Sequence, residues 1–330
     1  MRHFYRLTEF TQDEVQGFID RAIEFKHAAY QHCLAGKQVG LLFLNQSLRT
    51  RCSFEVGIRQ LGGVVTTLDA KSMWQLETDY GVRMDKDKPE HVKEAVGVLS
   101  RYFDALGVRA FARGESKDED LQDRTVTSFT EHSKVPVFNM ESANYHPCQA
   151  LADVTTMQEL LGELKGRRIV ISWAWHPKSL PMAVPNSILL AAVHMGMDVR
   201  LAHPEGFELQ PGILSMAESL KAKSGASLNI FDDREEAFQG AEVVYAKAWG
   251  GLSRYEDPER EEFLRNQNRH WIVDADIMAK TSRAYFMHCL PVRRNVVVTD
   301  EVIDSAMSVV FRQAENRLHG QKAILEWIFS

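Results

Sequence analysis

The chain predicts an α/β fold of two doubly wound parallel-sheet units, on three observations. Short apolar runs alternate with segments of helical periodicity from end to end, as in parallel strands joined by crossover helices. The 330 residues suffice for two ordinary domains with real cores. Apolar content of 45% and charged content of 25% are those of a globular chain.

The elements follow in order. Apolar runs expected to be strands occupy 39–44, 64–68, 105–110, 135–140, 169–173, 198–202, 228–231, 243–246, 284–288 and 308–311. Helical periodicity marks 90–103, 149–161 and 186–195, and a last helix over 314–329 is expected to pack back on the first domain. Pro177, Pro181 and Pro185 make 176–185 a stiff loop. The expected division is 1–141 and 142–330, with the helix from Gln149 carrying the chain across.

Composition excludes several function classes. A net charge of −6 argues against nucleic acid as a partner. No apolar run is long enough to span a bilayer, and Met1 to Tyr5 has no signal-peptide core. The four cysteines, Cys33, Cys52, Cys148 and Cys289, are scattered without CxxC spacing. That points to a reducing cytoplasm and away from a zinc site. No GxxxxGK[ST] is present and no GxGxxG follows a strand, so ATP- and NAD-dependent chemistry lacks its usual support.

In such folds ligands bind beyond the carboxyl ends of the strands, so the residues that follow each strand are the candidates. Ser47-Leu48-Arg49-Thr50-Arg51 stands between the first strand and a helix whose apolar residues are Phe54, Ile58 and Leu61. Helix N-termini attract phosphate, and arginine forks and hydroxyls there add charge-assisted donors. The bland alternative is an N-cap with solvated charges. Glu141 and then His146-Pro147-Cys148-Gln149 follow the fourth strand, where a histidine before a helix-starting proline can aim its ring at a ligand. An incidental histidine in a capping turn explains it equally well. Cys289-Leu290-Pro291 follows the strand at 284–288; the proline turns the chain and exposes carbonyls that could accept from an amine. A small buried cysteine is the alternative there. Arg109 and Lys247 end two further strands. Read from the residues alone, the chain is an α/β enzyme handling a small phosphate-bearing substrate.

Three of these motifs taken together, Ser47-Leu48-Arg49-Thr50-Arg51, His146-Pro147-Cys148-Gln149 and His288-Cys289-Leu290-Pro291, resemble the carbamoyltransferase family in order and spacing over nearly the whole chain. The resemblance implies a carbamoyl-phosphate domain, an amino-acid domain, a homotrimer with shared active sites, and no cofactor or metal. Val244-Tyr245-Ala246-Lys247-Ala248-Trp249-Gly250 departs from the Asp-x-x-x-Ser-Met-Gly loop of ordinary ornithine enzymes. The Lys247 stretch, the proline-rich loop and Ala314-Glu315-Asn316-Arg317 look instead like the acylornithine branch, whose proline-rich loop forms a knotted backbone. That implies a place in arginine biosynthesis.

The resemblance also distributes roles. Ser47, Leu48, Arg49, Thr50 and Arg317 would hold the phosphate, with Trp74 reaching in from the neighbouring subunit. Arg109, His146 and Thr50 would polarise the carbonyl oxygen, Gln149 would bind the carbamoyl amide, and Cys289 and Leu290 would orient the attacking amine. Glu141 and Lys247 would grip the amino-acid part. Acetyl enzymes of this branch carry a glutamate where this chain has Pro89, as succinyl enzymes do, and a modifiable lysine where it reads Val296-Val297-Val298. A glutamate would repel a succinyl carboxylate, whereas His176 and Arg293 could attract it. N2-succinylornithine is therefore the expected acceptor; N-acetylornithine and then free ornithine are the alternatives. A catalytically silent binding subunit on the same fold is the competitor from a different class.

Overall fold

The computed structural model describes residues 2–27 and 31–330; Met1 lies outside them. Its strands are β1 (Gln38–Phe43), β2 (Val64–Asp69), β3 (Leu76–Glu77), β4 (Glu90–His91), β5 (Ala105–Arg109), β6 (Val137–Glu141), β7 (Arg168–Trp173), β8 (Asp198–Ala202), β9 (Ser227–Phe231), β10 (Val243–Lys247) and β11 (Tyr285–Met287). Two parallel sheets result, in the orders β2-β1-β5-β6 and β11-β10-β7-β8-β9, beside a two-strand ladder of β3 and β4. β1, β5, β6 and β7 are buried along almost their whole length, as sheets covered by helices on both faces require. The two α/β layers are those expected.

Each sheet reverses its winding at a central strand. From β1 the chain moves outward to β2 and then returns to pair β5 on the other side. β7 likewise lies between β8 and β10. At such a switch point neighbouring crossover connections diverge and leave a crevice at the carboxyl ends. Packing is close enough to demand glycine at Gly107 of β5: an added Cβ would stand 2.4 Å from the Phe138 ring.

The helix Val310–Phe329 packs on Gln12–His27, Arg49–Gln60 and Pro147–Leu161. It returns the end of the chain to the region of the first sheet and buries Arg317 there.

Three expected elements differ. The run 308–311 is no strand: Ser308 makes one isolated bridge to Phe286, and a helix begins at Val310. Its buried face carries Gln313, Asn316 and Arg317, so polar residues hide the helical period and leave Val309-Val310-Phe311 looking β-like. The helix expected from 186 starts at Ala183 and includes Pro185 in its first turn, where a missing N–H costs nothing. The helix expected over 90–103 is Val92–Tyr102, because Glu90 and His91 pair with Leu76 and Glu77.

Candidate active site

The carboxyl ends of both sheets converge on one cavity of about 730 Å³. Ser47, Leu48, Arg49 and Thr50 follow β1, Arg109 ends β5, Glu141 ends β6 and Lys247 ends β10, and all of them line it. So do His146, Gln149, His176, His288, Cys289, Leu290, Arg293 and Arg317. Thus Arg49, Arg109, Lys247, Arg293 and Arg317 face a single lining carboxylate, Glu141. In a chain of net charge −6, so local a cationic excess suits anionic ligands.

The start of the Arg49–Gln60 helix is capped by Ser47, whose Oγ accepts from the Thr50 N–H at 3.2 Å. The two arginines of this motif part company. Arg49 faces the cavity, and its half-burial lowers its pKa from the usual guanidinium value. Arg51 turns outward to Glu55 at 3.1 Å and Asp69 at 3.0 Å, which corrects the reading of both as ligand donors.

Thr50 is a junction. Its Oγ1 accepts from Arg317 at 2.8 Å and from Arg109 at 3.3 Å. With both lone pairs engaged, its own hydrogen is free for a ligand oxygen. Arg109 reaches this point because the β5–β6 register shifts after Val108, setting Arg109 opposite Glu141 rather than Met140. Irregularities of this kind re-aim side chains beside functional sites. Arg109 Nη1 then donates to Glu141 Oε2 at 2.5 Å, and its guanidinium lies 4.5 Å from the Phe111 ring centroid.

Pro147 opens the Pro147–Leu161 helix, whose N-cap is His146. The His146 N–H donates to Ser187 Oγ at 2.7 Å. Its ring Nε2 lies 3.3 Å from Glu141 Oε2. Burial, and then the Arg317 and Arg109 charges, press its pKa well below 6.5, so the pair is a neutral imidazole beside a carboxylate and not an ion pair.

On the other wall, Arg293 Nε donates to His176 Nε2 at 3.0 Å, and His176 Nδ1 lies 2.9 Å from the Lys178 carbonyl. Nε2 is thus an acceptor, while Nδ1 faces both the Lys178 carbonyl and, at 3.0 Å, the Lys178 N–H. Burial lowers this imidazole's pKa as well. The positive charge expected of the pair rests on Arg293, not on both residues. Burial also pushes the Cys289 thiol above its ordinary 9.0, so it is not a thiolate near neutral pH. The Leu290 N–H donates to His288 Nδ1 at 2.9 Å.

Two anticipated residues are not in the cavity. Trp74 is 71% exposed and Pro89 is also at the surface. Trp74 lies two residues before β3 and Pro89 immediately before β4; the ladder pairs Leu76 with Glu90 and Glu77 with His91, and Lys88 to Glu77 at 3.1 Å staples the segment. Sequence reasoning missed the lining residues Phe111, Leu180 and Val184, which carry no chemical signature. Among the described residues no group of three or more His, Cys, Asp and Glu could hold a metal ion. No described helix is long and apolar enough to cross a membrane.

Comparison with known proteins agrees with this geometry. The family model for the aspartate/ornithine carbamoyltransferase carbamoyl-P binding domain matches residues 2–159, and that for the Asp/Orn binding domain matches 180–328. The N-acetylornithine carbamoyltransferase of Xanthomonas campestris pv. campestris is 43% identical over 329 residues, covering 98% of this chain and 97% of that protein. The N-succinylornithine carbamoyltransferase of Bacteroides thetaiotaomicron is 39% identical over 307 residues, covering 92% of each. A crystal structure of an N-acetyl-L-ornithine transcarbamylase superposes with a TM-score of 0.97 at 42% identity, covering 99% of this chain and 100% of that one. In that protein one glutamate is replaced by proline, and it holds carbamyl phosphate and N-succinyl-L-norvaline.

Proposed function

The chain belongs to the aspartate/ornithine carbamoyltransferase family, and from that premise we propose that it transfers the carbamoyl group of carbamoyl phosphate to the δ-amine of an N2-acylornithine. The observation that carries this reading is the meeting of Ser47–Thr50, His146–Gln149 and Cys289–Leu290 on one cationic cavity.

The phosphate sits at the start of the Arg49–Gln60 helix, held by Ser47, Arg49, Thr50 and Arg317 and by the Leu48 backbone. Arg109, Thr50 and His146 surround the carbonyl oxygen, where each donor to the developing oxyanion is worth roughly 3 kcal/mol. The neutral His146 ring has one N–H, for which Glu141 and the bound carbonyl compete. Gln149 Oε1 keeps a lone pair for the carbamoyl NH2 group. The Leu290 carbonyl and the Cys289 thiol orient the δ-amine, which attacks in its neutral form. The new C–N bond forms as the C–O bond to phosphate breaks, and the departing phosphate takes the amine proton. Glu141 and Lys247 hold the α-substituents of the acceptor. Much of the acceleration then comes from holding two reactants in register.

Trp74 and Pro89 find a role in a homotrimer. Each stands just before one of the two paired strands β3 and β4, so a neighbouring subunit's cavity that receives this segment is offered both. Pro89 there supports the succinyl reading: it puts no charge against the second carboxylate, which Arg293 attracts. The neighbouring structure with proline in place of glutamate holds a succinyl compound, which supports the same reading. The acetyl reading has the whole-chain comparison behind it, since identity is higher to the N-acetylornithine relative. Whole-chain identity averages every position, however, whereas the acyl choice turns on very few. Either product would be an N2-acylcitrulline, placing the enzyme in arginine biosynthesis.

The test is citrulline formation by the purified protein with carbamoyl phosphate and N2-succinylornithine, N2-acetylornithine or ornithine in parallel. The expected order of kcat/KM is succinyl, acetyl, ornithine. An acetyl-first order would overturn the acyl assignment, and no turnover with any amine would overturn the reaction.

A further inference from the structure

Asp153 is fully inside the protein, one helical turn beyond Gln149, and does not line the cavity. Its Oδ1 accepts two hydrogen bonds, from Gln149 Nε2 at 2.8 Å and from Gln313 Nε2 at 2.7 Å. The Tyr245 hydroxyl stands beside the carboxylate without a well-aligned bond.

The far sides of both carboxamides are also dictated. Gln149 Oε1 accepts from Arg317 Nη1 at 3.1 Å, and Gln313 Oε1 accepts from the His288 N–H at 2.9 Å. A guanidinium and a backbone N–H can only donate, so each amide must turn its oxygen toward them. Its NH2 group then needs an acceptor on the opposite side. Asp153 supplies that acceptor to both at once.

One branch ends at Gln149 and Arg317, beside the helix start assigned to carbamoyl phosphate. The other ends at His288, whose Nδ1 receives the Leu290 N–H at 2.9 Å and which precedes the turn assigned to the acceptor amine. We propose that Asp153 is a positioning residue that locks the donor-substrate and acceptor-substrate halves of the site into one register, through Gln149 and Gln313. The inference rests on the reaction proposed above. Its effect is geometric: a slip of about 1 Å between reacting groups can cost on the order of 100-fold in rate.

The experiment compares Asp153→Asn, Asp153→Ala and Gln313→Met, with kcat and both KM values measured well below each protein's melting temperature. Asparagine keeps an oxygen at Oδ1, so Asp153→Asn should stay within a few-fold of the parent. Asp153→Ala should lose on the order of 100-fold in kcat and raise both KM values. Gln313→Met breaks only the acceptor branch. It should lower kcat and raise the acylornithine KM while leaving the carbamoyl-phosphate KM in place, and it serves where Asp153→Ala does not fold. A general structural role would move both KM values together or neither. Adding Gln149→Ala to Asp153→Ala should cost less than the product of the two single losses. The proposal is overturned if Asp153→Asn is as impaired as Asp153→Ala, if folded Asp153→Ala is unimpaired, if the losses multiply fully, or if Gln313→Met shifts the carbamoyl-phosphate KM. Absence of turnover in the parent protein would instead refute the reaction itself.

Discussion

The Arg317 guanidinium donates to the Thr50 hydroxyl at 2.8 Å, although 267 positions separate the two in sequence. The same guanidinium donates to Gln149 at 3.1 Å, so its planar fork ties the last helix to the starts of two others. Burial lowers its pKa from the usual guanidinium value, yet the group remains a cation at any accessible pH. A lysine ammonium is a point charge that cannot reproduce the fork. Arg317→Lys should therefore keep the fold and raise the carbamoyl-phosphate KM by roughly ten-fold or more, as loss of one charge-assisted bond of about 1.5–3 kcal/mol implies. Steady-state kinetics with melting as a control checks this; an unchanged KM would remove Arg317 from the phosphate site.

That long-range bond marks the limit of what sequence could show. Ser47 to Thr50, Arg109, Glu141 and Lys247 were legible because each directly follows or ends an apolar run, and strand ends are where such folds bind ligands. Gln313 and Asp153 were not, since the bond between them joins residues 160 positions apart and neither ends a strand. The polar buried face that hid Gln313 is the same one that made 308–311 look like a strand. The Arg109–Glu141 pair was legible residue by residue but not as a pair, because only the register shift in the sheet brings them opposite. Trp74 and Pro89 were singled out by resemblance alone, and no residue pattern around them explains why they should be exposed.

Asp153 should leave a signature in the pH dependence of stability. Burial raises its pKa from 3.8 to about 6, so between those values the folded chain holds a proton that the unfolded chain has released. Stability from this group is complete below about pH 4 and is lost as pH rises through about 6. Asp153→Asn removes the titration. Denaturant unfolding at pH 4.5 and pH 7 should show the variant losing less stability, or gaining more, than the parent across that interval. Parallel changes in the two proteins would show that Asp153 ionises normally.

If Trp74 completes a neighbour's cavity, Trp74→Ala and Arg49→Ala should each be nearly inactive as pure proteins. Arg49 lines its own cavity, while Trp74 stands outside it. Refolding the two variants together should then restore activity, because some sites in mixed assemblies combine a native Arg49 with a neighbour's native Trp74. The check is specific activity against mixing ratio, with assembly verified by native mass measurement. Mixed oligomers that remain inactive would refute sharing.

Trp74 and Pro89 stand just before the paired strands β3 and β4, so a shared site also predicts where acyl specificity lies. Pro89→Glu places a carboxylate opposite the succinyl terminus without touching any residue that lines the cavity. Like charges brought together in a partly desolvated site cost several kcal/mol, and a built-in repulsion of this kind separates two otherwise similar ligands. The smaller acetyl group carries no charge to repel. Succinylornithine turnover should therefore fall by a factor of 100 or so, about 3 kcal/mol at 1.4 kcal/mol per ten-fold, while acetylornithine turnover holds or rises. Because the substitution acts across the subunit boundary, its effect should weaken in mixed oligomers in proportion to the native Pro89 supplied. Measuring kcat/KM for both amines in the parent, the variant and their mixtures decides it. An unchanged preference in Pro89→Glu would mean that the acyl group is read elsewhere, with Arg293 and its His176 partner the next residues to substitute.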